Sequence, residues 1–187
     1  MKTTSIMIVG VGGQGSLLAS KLLGNLLLSE GYDVKVSEVH GMSQRGGSVV
    51  TYVRFGEKVY SPIVDLGEAD YIISFEKMEA ARYAPYLKKG GLIITNTQEI
   101  DPMPVITGAA TYPTEILSEL GDSVEALDAL SLANEAGTSK AVNIVLMGRL
   151  AKHFHIAPEK WIAALEAVVN PKFLEINKKA FDLGYNS

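Results

Sequence analysis

Two loops of this 187-residue chain carry the residue types that bind ligands. The first is Gly-Val-Gly-Gly-Gln-Gly at residues 10–15, which follows a short apolar run and precedes a leucine-rich segment. A G-x-G-x-x-G turn between a strand and a helix directs backbone N–H groups at an anion, so Gly12, Gly13, Gln14 and Gly15 are candidate binding residues for a dinucleotide. Two alternatives stay open: the glycines only let the helix pack closely on the sheet, and the Gln14 amide caps the turn instead of reaching a ligand.

The second loop is the polar, glycine-broken stretch EVHGMSQRGG at residues 38–47. Its candidate cofactor-binding residues are Glu38, Ser43, Gln44, Arg45, Gly46 and Gly47. Arg45 offers a forked cation for a phosphate or carboxylate, and the two glycines let backbone approach a ligand. Glu38 stands where a dinucleotide-binding fold places an acid for the ribose hydroxyl. His40 is the candidate acid–base residue of the loop, although a lone histidine is more often structural.

The pattern around these loops predicts an α/β fold, a Rossmann-like three-layer domain with a mostly parallel sheet and a helical C-terminal end. Apolar and β-branched runs predict strands at residues 5–9, 34–39, 48–55, 70–75, 92–95, 105–112 and 124–128. Leucine and alanine spacing predicts helices at residues 14–30, 76–87, 129–136, 139–154 and 158–184, the last broken at Pro171. We expect the two loops to face one crevice at the carboxyl edge of the sheet.

Three details of this pattern are further expectations. Gly90 and Gly91 should end the helix at residues 76–87, and a turn at residues 56–57 should lead the third strand into a hairpin with residues 58–61. One domain should span residues 1–187, with a helical extension at residues 156–187 packed on it.

Several polar side chains outside the loops favour structural roles. Glu76, Glu79 and Arg82 stand at helical spacing, which favours exposed ion pairs over a lining of the crevice. Asn143 lies in an apolar helix and is expected to be buried and bonded to loop backbone. His153 and His155 stand at a helix end, where capping is favoured over metal binding, so no metal site is predicted.

Composition excludes some classes of function. A net charge of -4 does not favour binding to a nucleic-acid backbone. The sequence has no cysteine, so this chain forms no disulfide and offers no thiolate for an iron–sulfur cluster or a cysteine-based zinc site. The apolar run at residues 5–9 is too short for a signal peptide or a membrane span, and we expect a cytoplasmic protein without membrane contact.

Six ordered blocks resemble the gamma-type domain of the 2-oxoacid:ferredoxin oxidoreductases. They are GVGGQG at residues 10–15, EVHGMSQRGG at 38–47, VTYVRFG at 50–56, YP at 112–113, KAVNIVLMGRL at 140–150 and INKKAFDLGY at 176–185. The GMSQRGG form is most similar to the small, beta subunit of the indolepyruvate branch of that family.

The resemblance implies the small subunit of an enzyme that oxidatively decarboxylates an arylpyruvate with coenzyme A and reduces ferredoxin. It implies that thiamine diphosphate and the iron–sulfur clusters belong to a larger partner subunit, and that this chain is not active alone. On this hypothesis Gly12 to Gly15 and Arg45 lie near an anionic group of coenzyme A or of the 2-oxoacid. A self-sufficient dinucleotide-dependent oxidoreductase and a non-catalytic nucleotide-binding or scaffold module remain as alternatives.

Overall fold

The computed structural model describes residues 3–39 and 46–187, which contain one six-stranded sheet. Its strands are β1 (Thr4–Val11), β2 (Asp33–Glu38), β3 (Ser48–Gly56), β4 (Ala69–Ser74), β5 (Leu87–Asn96) and β6 (Val124–Leu127). The helices are α1 (Ser16–Ser29), α2 (Lys77–Tyr83), α3 (Met103–Ile106), α4 (Ile116–Leu120), α5 (Ala129–Ala136), α6 (Val142–Ala151), α7 (Pro158–Val168) and α8 (Leu174–Asn186). In the described ranges, no helix has the length and apolar character needed to cross a bilayer.

The sheet has the strand order β2-β3-β1-β4-β5-β6. Along the part of the sheet ordered β1-β4-β5-β6, neighbouring strands are parallel. Strand β3 runs antiparallel to both β1 and β2. Strand β2 therefore points in the same direction as β1, and the prediction of a mostly parallel sheet is confirmed. The carboxyl ends of β1, β2, β4, β5 and β6 meet at one edge, which is where open α/β sheets bind ligands.

Helices cover both faces of the sheet. One face packs against α1 and α5 to α8 through completely buried residues such as Ile8 and Leu146. The other face packs against α2 and α4, with Met7 and Ala80 in its core. Strand β1 supplies both cores because successive side chains of a strand point to opposite faces. This confirms the three-layer arrangement.

The helical C-terminal end packs on the first of these cores. Trp161 of α7 and Phe181 of α8 are both completely buried, with ring centroids 5.9 Å apart. Helices α6 and α8 cross at two glycines: a Cβ atom at Gly148 would lie 2.1 Å from the Phe181 carbonyl oxygen, and one at Gly184 would lie 1.9 Å from that of Val145. The two backbones touch because neither glycine has a side chain.

The strand predicted at residues 105–112 is wrong. These residues instead contain the end of the short helix α3, followed by residues without regular structure. Pro102 and Pro104 stand at the start of α3, where a fixed φ angle favours a helical turn and where the missing N–H would weaken a strand ladder.

The expectation that Gly90 and Gly91 end the crossover helix is also wrong. Helix α2 ends at Tyr83 and is followed by a 3-10 turn at Ala84–Tyr86 that contains proline, while both glycines lie inside β5. A Cβ atom at Gly91 would lie 2.9 Å from the Ala69 carbonyl oxygen, at a register shift between β4 and β5. The missing side chain of Gly91 thus allows β4 and β5 to approach each other closely.

Residues 58–61 form no strand, so the predicted hairpin is wrong as well. Strand β3 pairs with β1 on one side and with β2 on the other, so it has no free edge for a further partner.

Candidate functional site

The glycine turn lies between β1 and α1, as the sequence predicts. Gly13 and Gly15 have φ angles of +102° and +88°, a region that side chains disfavour, and Gly15 is the N-cap of α1. Helix α1 is 14 residues long, so its N-terminus presents unpaired N–H groups and a partial positive charge at the carboxyl edge.

Gln14 closes this turn with both ends of its amide. Its Oε1 accepts a 2.7 Å hydrogen bond from the Val11 N–H, and its Nε2 donates a 3.0 Å hydrogen bond to the Phe75 carbonyl. The side chain thereby joins the ends of β1 and β4. Of the two roles that the sequence allowed, the contacts support the cap.

The second loop contacts the first through backbone. The Gly12 N–H donates a 2.8 Å hydrogen bond to the Gly47 carbonyl. Gly46 has a φ angle of +93°, a conformation that suits glycine. The expectation that the second loop lies next to the glycine turn is therefore confirmed for these glycines, whereas one crevice faced by both loops stays a prediction. His40, Ser43, Gln44 and Arg45 lie outside the described residues, so their assignments stay predictions.

Glu38, at the end of β2, faces α1. Its Oε1 accepts a 2.7 Å hydrogen bond from the hydroxyl of Ser20, which is almost completely buried. The carboxylate thus helps to fix β2 on α1, and its role toward a ribose hydroxyl remains a prediction.

A cleft of about 600 Å³ opens beside the glycine turn at the carboxyl edge. Its lining residues come from four segments: Gly13, Gln14, Gly15, Leu18, Gln98, Ile100, Leu130, Ser139, Lys140, Val142 and Asn143. Lys140 is exposed and forms no ion pair within residues 3–39 and 46–187. An ammonium group beside a helix N-terminus favours an anionic ligand in this cleft.

Asn143 holds the floor of the cleft. It is buried in the first turn of α6, and its Nδ2 donates a 3.0 Å hydrogen bond to the Gly15 carbonyl. The prediction of a buried asparagine bonded to loop backbone is confirmed.

Two buried glutamates behind this edge contradict the predicted surface location, although the i,i+3 pair of Arg82 with Glu79 is present, with Nε and Oε1 3.0 Å apart. Glu76 and Glu79 are 1% and 4% exposed, whereas Arg82 is half exposed. Glu76 accepts hydrogen bonds from the Glu79 N–H at 3.0 Å and the Ile100 N–H at 3.1 Å. A glutamate at a helix N-cap followed by another at the third helical position resembles a capping box, which is the signal that could have located this pair.

Tyr112 completes the bonding of Glu76. The phenol donates a 2.5 Å hydrogen bond to Oε1 of Glu76 and accepts one from the Met78 N–H at 3.0 Å. Burial, followed by the bond to the Glu76 carboxylate, raises the pKa of Tyr112 well above its usual range. The Tyr112 hydroxyl is thus the donor in its bond to the Glu76 carboxylate.

Asn96 is a further residue that the sequence interpretation missed. It is completely buried at the carboxyl end of β5, where its Nδ2 donates to the Phe75 carbonyl at 3.2 Å and its Oδ1 accepts from the Ala129 N–H at 3.1 Å. Asn96 thus joins β4 and β5 to the start of α5. A single asparagine after an apolar run carries no sequence signal for such a role.

Comparison with known proteins identifies the family. Residues 5–187 match the family described as pyruvate ferredoxin/flavodoxin oxidoreductase. The chain belongs to this family. It is 50% identical over 192 residues to the indolepyruvate oxidoreductase subunit IorB of Thermococcus kodakarensis, covering 98% of this chain and 95% of that relative. The IorB subunit of Pyrococcus horikoshii is 50% identical over 194 residues, with the same coverage of both chains.

The pyruvate ferredoxin/flavodoxin oxidoreductase fold also occurs inside longer chains. The 2-oxoglutarate:ferredoxin oxidoreductase from Magnetococcus marinus, solved with 2-oxoglutarate, coenzyme A and succinyl-CoA bound, superposes with a TM-score of 0.77 at 20% identity. The superposition covers 100% of this chain and 31% of that one, and it shows the shared fold. Because both IorB relatives are covered almost end to end, this chain corresponds to a small subunit of the family, as its motifs indicated.

In this oxidoreductase subunit, five of the six blocks that carried the resemblance come together in two places, and the sixth, at residues 50–56, lies in β3. The glycine turn, the Gly46–Gly47 end of the second loop and Tyr112 lie at the carboxyl edge. The blocks at residues 140–150 and 176–185 form the α6–α8 crossing, with Gly148 and Gly184 in the contact.

Proposed function

We propose that this chain is the small, beta-type subunit of an indolepyruvate-type 2-oxoacid:ferredoxin oxidoreductase. The complex oxidatively decarboxylates an arylpyruvate with coenzyme A, which yields an aryl-acetyl-CoA, carbon dioxide and reduced ferredoxin. The observation that carries the proposal is the 50% identity, over 98% of this chain, to a protein named indolepyruvate oxidoreductase subunit IorB.

The cofactors of the reaction belong to a larger partner subunit in this proposal. An iron–sulfur cluster needs thiolate ligands, and this sequence contains no cysteine. The described residues also contain no group of three or more histidine, aspartate or glutamate side chains that could hold a metal ion. As the family resemblance implies, thiamine diphosphate and the clusters belong to the partner in this proposal, and the complex is expected in the cytoplasm.

This chain contributes one wall of the ligand cleft. The turn at Gly12 to Gly15 places the N-terminus of α1 at the cleft, with the Gly12 N–H bonded to Gly47, and Lys140 adds a positive charge beside it. Arg45 supplies a forked cation from the neighbouring loop. The ligand group is a phosphate of coenzyme A or the carboxylate of the 2-oxoacid. Gln14 and Asn143 hold the turn through the hydrogen bonds described above.

The test is co-expression of this chain with a thiamine- and cluster-bearing large subunit from the same genome. The purified complex is assayed for coenzyme-A-dependent reduction of ferredoxin or a viologen with indolepyruvate, phenylpyruvate and pyruvate. We expect turnover in the complex, none with either subunit alone, and higher kcat/KM for the aryl substrates than for pyruvate.

Three outcomes would contradict the proposal. A complex that forms but turns over none of the three acids would refute the proposed reaction. Turnover by this chain alone with a nicotinamide cofactor would establish the self-sufficient dinucleotide-dependent oxidoreductase. If the chain binds a nucleotide or the partner without affecting any turnover, the scaffold alternative holds.

A further inference from the structure

Glu79 is a buried carboxylate without an assigned role in the proposed site. Its Oε1 accepts a 3.0 Å hydrogen bond from Nε of Arg82, and its Oε2 accepts one from the Ser48 hydroxyl. An exposed glutamate would form the same helical pair with Arg82 without the desolvation that burial imposes. In its buried position Glu79 gains the contact to Ser48.

Ser48 connects Glu79 to the two glycine loops. It is the first residue of β3, pairs with Val11 at the end of β1, and directly follows Gly47. The Gly47 carbonyl accepts the Gly12 N–H at 2.8 Å. A side chain that fixes Ser48 thereby fixes the carbonyl on which the glycine turn rests.

Glu79 is also held through its backbone. The Glu79 N–H donates to Oε2 of Glu76, and Glu76 in turn accepts a hydrogen bond from Tyr112. A path of hydrogen bonds, with one peptide link from Ser48 to Gly47, thus runs from Tyr112 through Glu76 and Glu79 to Gly12. It joins three segments that are distant in sequence to one ligand-binding turn.

We propose that Glu79 is a positioning residue: through Ser48 and Gly47 it anchors the Gly12 N–H and so sets the place of the Gly13–Gly15 turn, which lines the cleft for the anionic group of the ligand. The expected effect on KM rests on the proposed function. The expected effect on the glycine turn rests only on the contacts described above. Glu79 does not touch the ligand itself.

The kinetic experiment uses the complex with the large subunit and compares Ser48→Ala, Ser48→Thr and Glu79→Gln with wild type. An amide at position 79 keeps the shape but removes the charge, so the bond to Ser48 or to Arg82 loses its carboxylate acceptor and is weakened, and threonine keeps the hydroxyl that alanine removes. We expect Ser48→Ala and Glu79→Gln to raise KM for coenzyme A or for the 2-oxoacid about tenfold with little change in kcat, the size of one lost hydrogen bond. Ser48→Thr should keep the wild-type KM.

A matched control separates positioning from general stability. Glu125 lies on β6, away from the turn, and its partly buried carboxylate pairs with Arg149 and His153. The Glu125→Gln variant removes this carboxylate. It should leave both KM values unchanged. Wild-type KM values in Ser48→Ala and Glu79→Gln complexes, or an equal rise in the Glu125→Gln complex, would overturn the inference.

Amide hydrogen exchange of Gly12 in the isolated full chain tests the same link without turnover. Ser48→Ala and Glu79→Gln should speed exchange at Gly12 at least about tenfold, while Ser48→Thr and Glu125→Gln should not. Unchanged Gly12 exchange in both loss variants refutes the positioning role. If the wild-type complex has no activity but the exchange rates change as expected, the proposed function fails and the role of Glu79 stands.

Discussion

The side-chain amide of Asn143 donates a 3.0 Å hydrogen bond to the carbonyl of Gly15, which lies 128 residues earlier in the chain. The two residues are so close that a Cβ atom at Gly15 would lie 2.6 Å from Nδ2 of Asn143. Helix α6 thus supports the N-cap of α1 from below the cleft. The candidate ligand-binding turn depends on a contact that only the folded chain creates.

Replacing Asn143 by alanine should therefore lower the free energy of unfolding by about 1–3 kcal/mol, because the Gly15 carbonyl loses a buried partner. Urea denaturation of the isolated chain measures the change. Asn134→Ala is the matched control, since Asn134 is exposed on α5 and alanine favours a helix. Similar losses in both variants would show that the contact with Gly15 contributes nothing specific.

Tyr112→Phe should destabilise the fold by about 1–3 kcal/mol, because Glu76 is buried and loses one of its donors. Thermal and chemical denaturation of the isolated chain measure this effect. Tyr60 is 88% exposed, so Tyr60→Phe is the comparison in which little change is expected. If Tyr112→Phe is as stable as wild type, the Tyr112–Glu76 bond does not hold the carboxylate.

Gly184→Ala should destabilise the chain by about 1–3 kcal/mol or more, since a methyl group would overlap the Val145 carbonyl in the facing helix. Gly24→Ala provides the opposite case. A Cβ atom at Gly24, inside α1, would meet Val36 at an ordinary 4.0 Å, so helix propensity should stabilise that variant by about 0.5–1 kcal/mol. Opposite signs in the two denaturation experiments would confirm close packing of α6 on α8, and a stabilised Gly184→Ala would contradict it.

The ion pair of Glu125 predicts a pH effect. Burial opposes ionisation of Glu125, but the hydrogen bonds from Arg149 and His153 outweigh it and hold the pKa of this carboxyl below its usual value. A carboxyl with a lowered folded-state pKa stabilises the fold above its unfolded pKa, and this stabilisation is lost as pH falls through the folded value. Between about pH 6 and about pH 3, wild type should lose about 0.5–1 kcal/mol more stability than Glu125→Gln.

Denaturation curves at a series of pH values test this expectation. Asp182→Asn is the control, because Asp182 is exposed on α8 and forms no ion pair in the described part of the chain. Parallel curves for wild type and Glu125→Gln would remove the predicted contribution, whereas a difference that grows toward neutral pH supports it.

Arg45→Ala should raise KM for the anionic ligand about ten- to hundredfold in a complex that assembles normally, because a charge-assisted hydrogen bond contributes about 1.5–3 kcal/mol. Arg45→Lys keeps the charge but loses the forked geometry, so an intermediate KM is expected. Steady-state kinetics for coenzyme A and for each 2-oxoacid identify the affected ligand. Unchanged KM values for both substrates in the alanine variant would exclude Arg45 from binding.

The sequence by itself determined the α/β alternation, the glycine turn at the first strand end and the helical C-terminal end. These features depend on local physics: apolar spacing sets strand and helix, and glycine permits the backbone angles at Gly13 and Gly15. Asn143 could also be placed correctly, because an amide inside an apolar helix must find a buried partner. The six ordered motifs were sufficient to indicate the family.

The tertiary structure decided where the polar residues went. Sequence spacing suggested that Glu76 and Glu79 form surface pairs, yet the fold buries both under a loop that brings in Tyr112 and beside a strand that brings in Ser48. The sequence predicts that Gly91 ends a helix, but in the fold Gly91 lies in β5 against the backbone of β4. Burial, strand order and close backbone approach depend on segments far apart in the chain, so local propensity contains no information about them until the sheet has assembled.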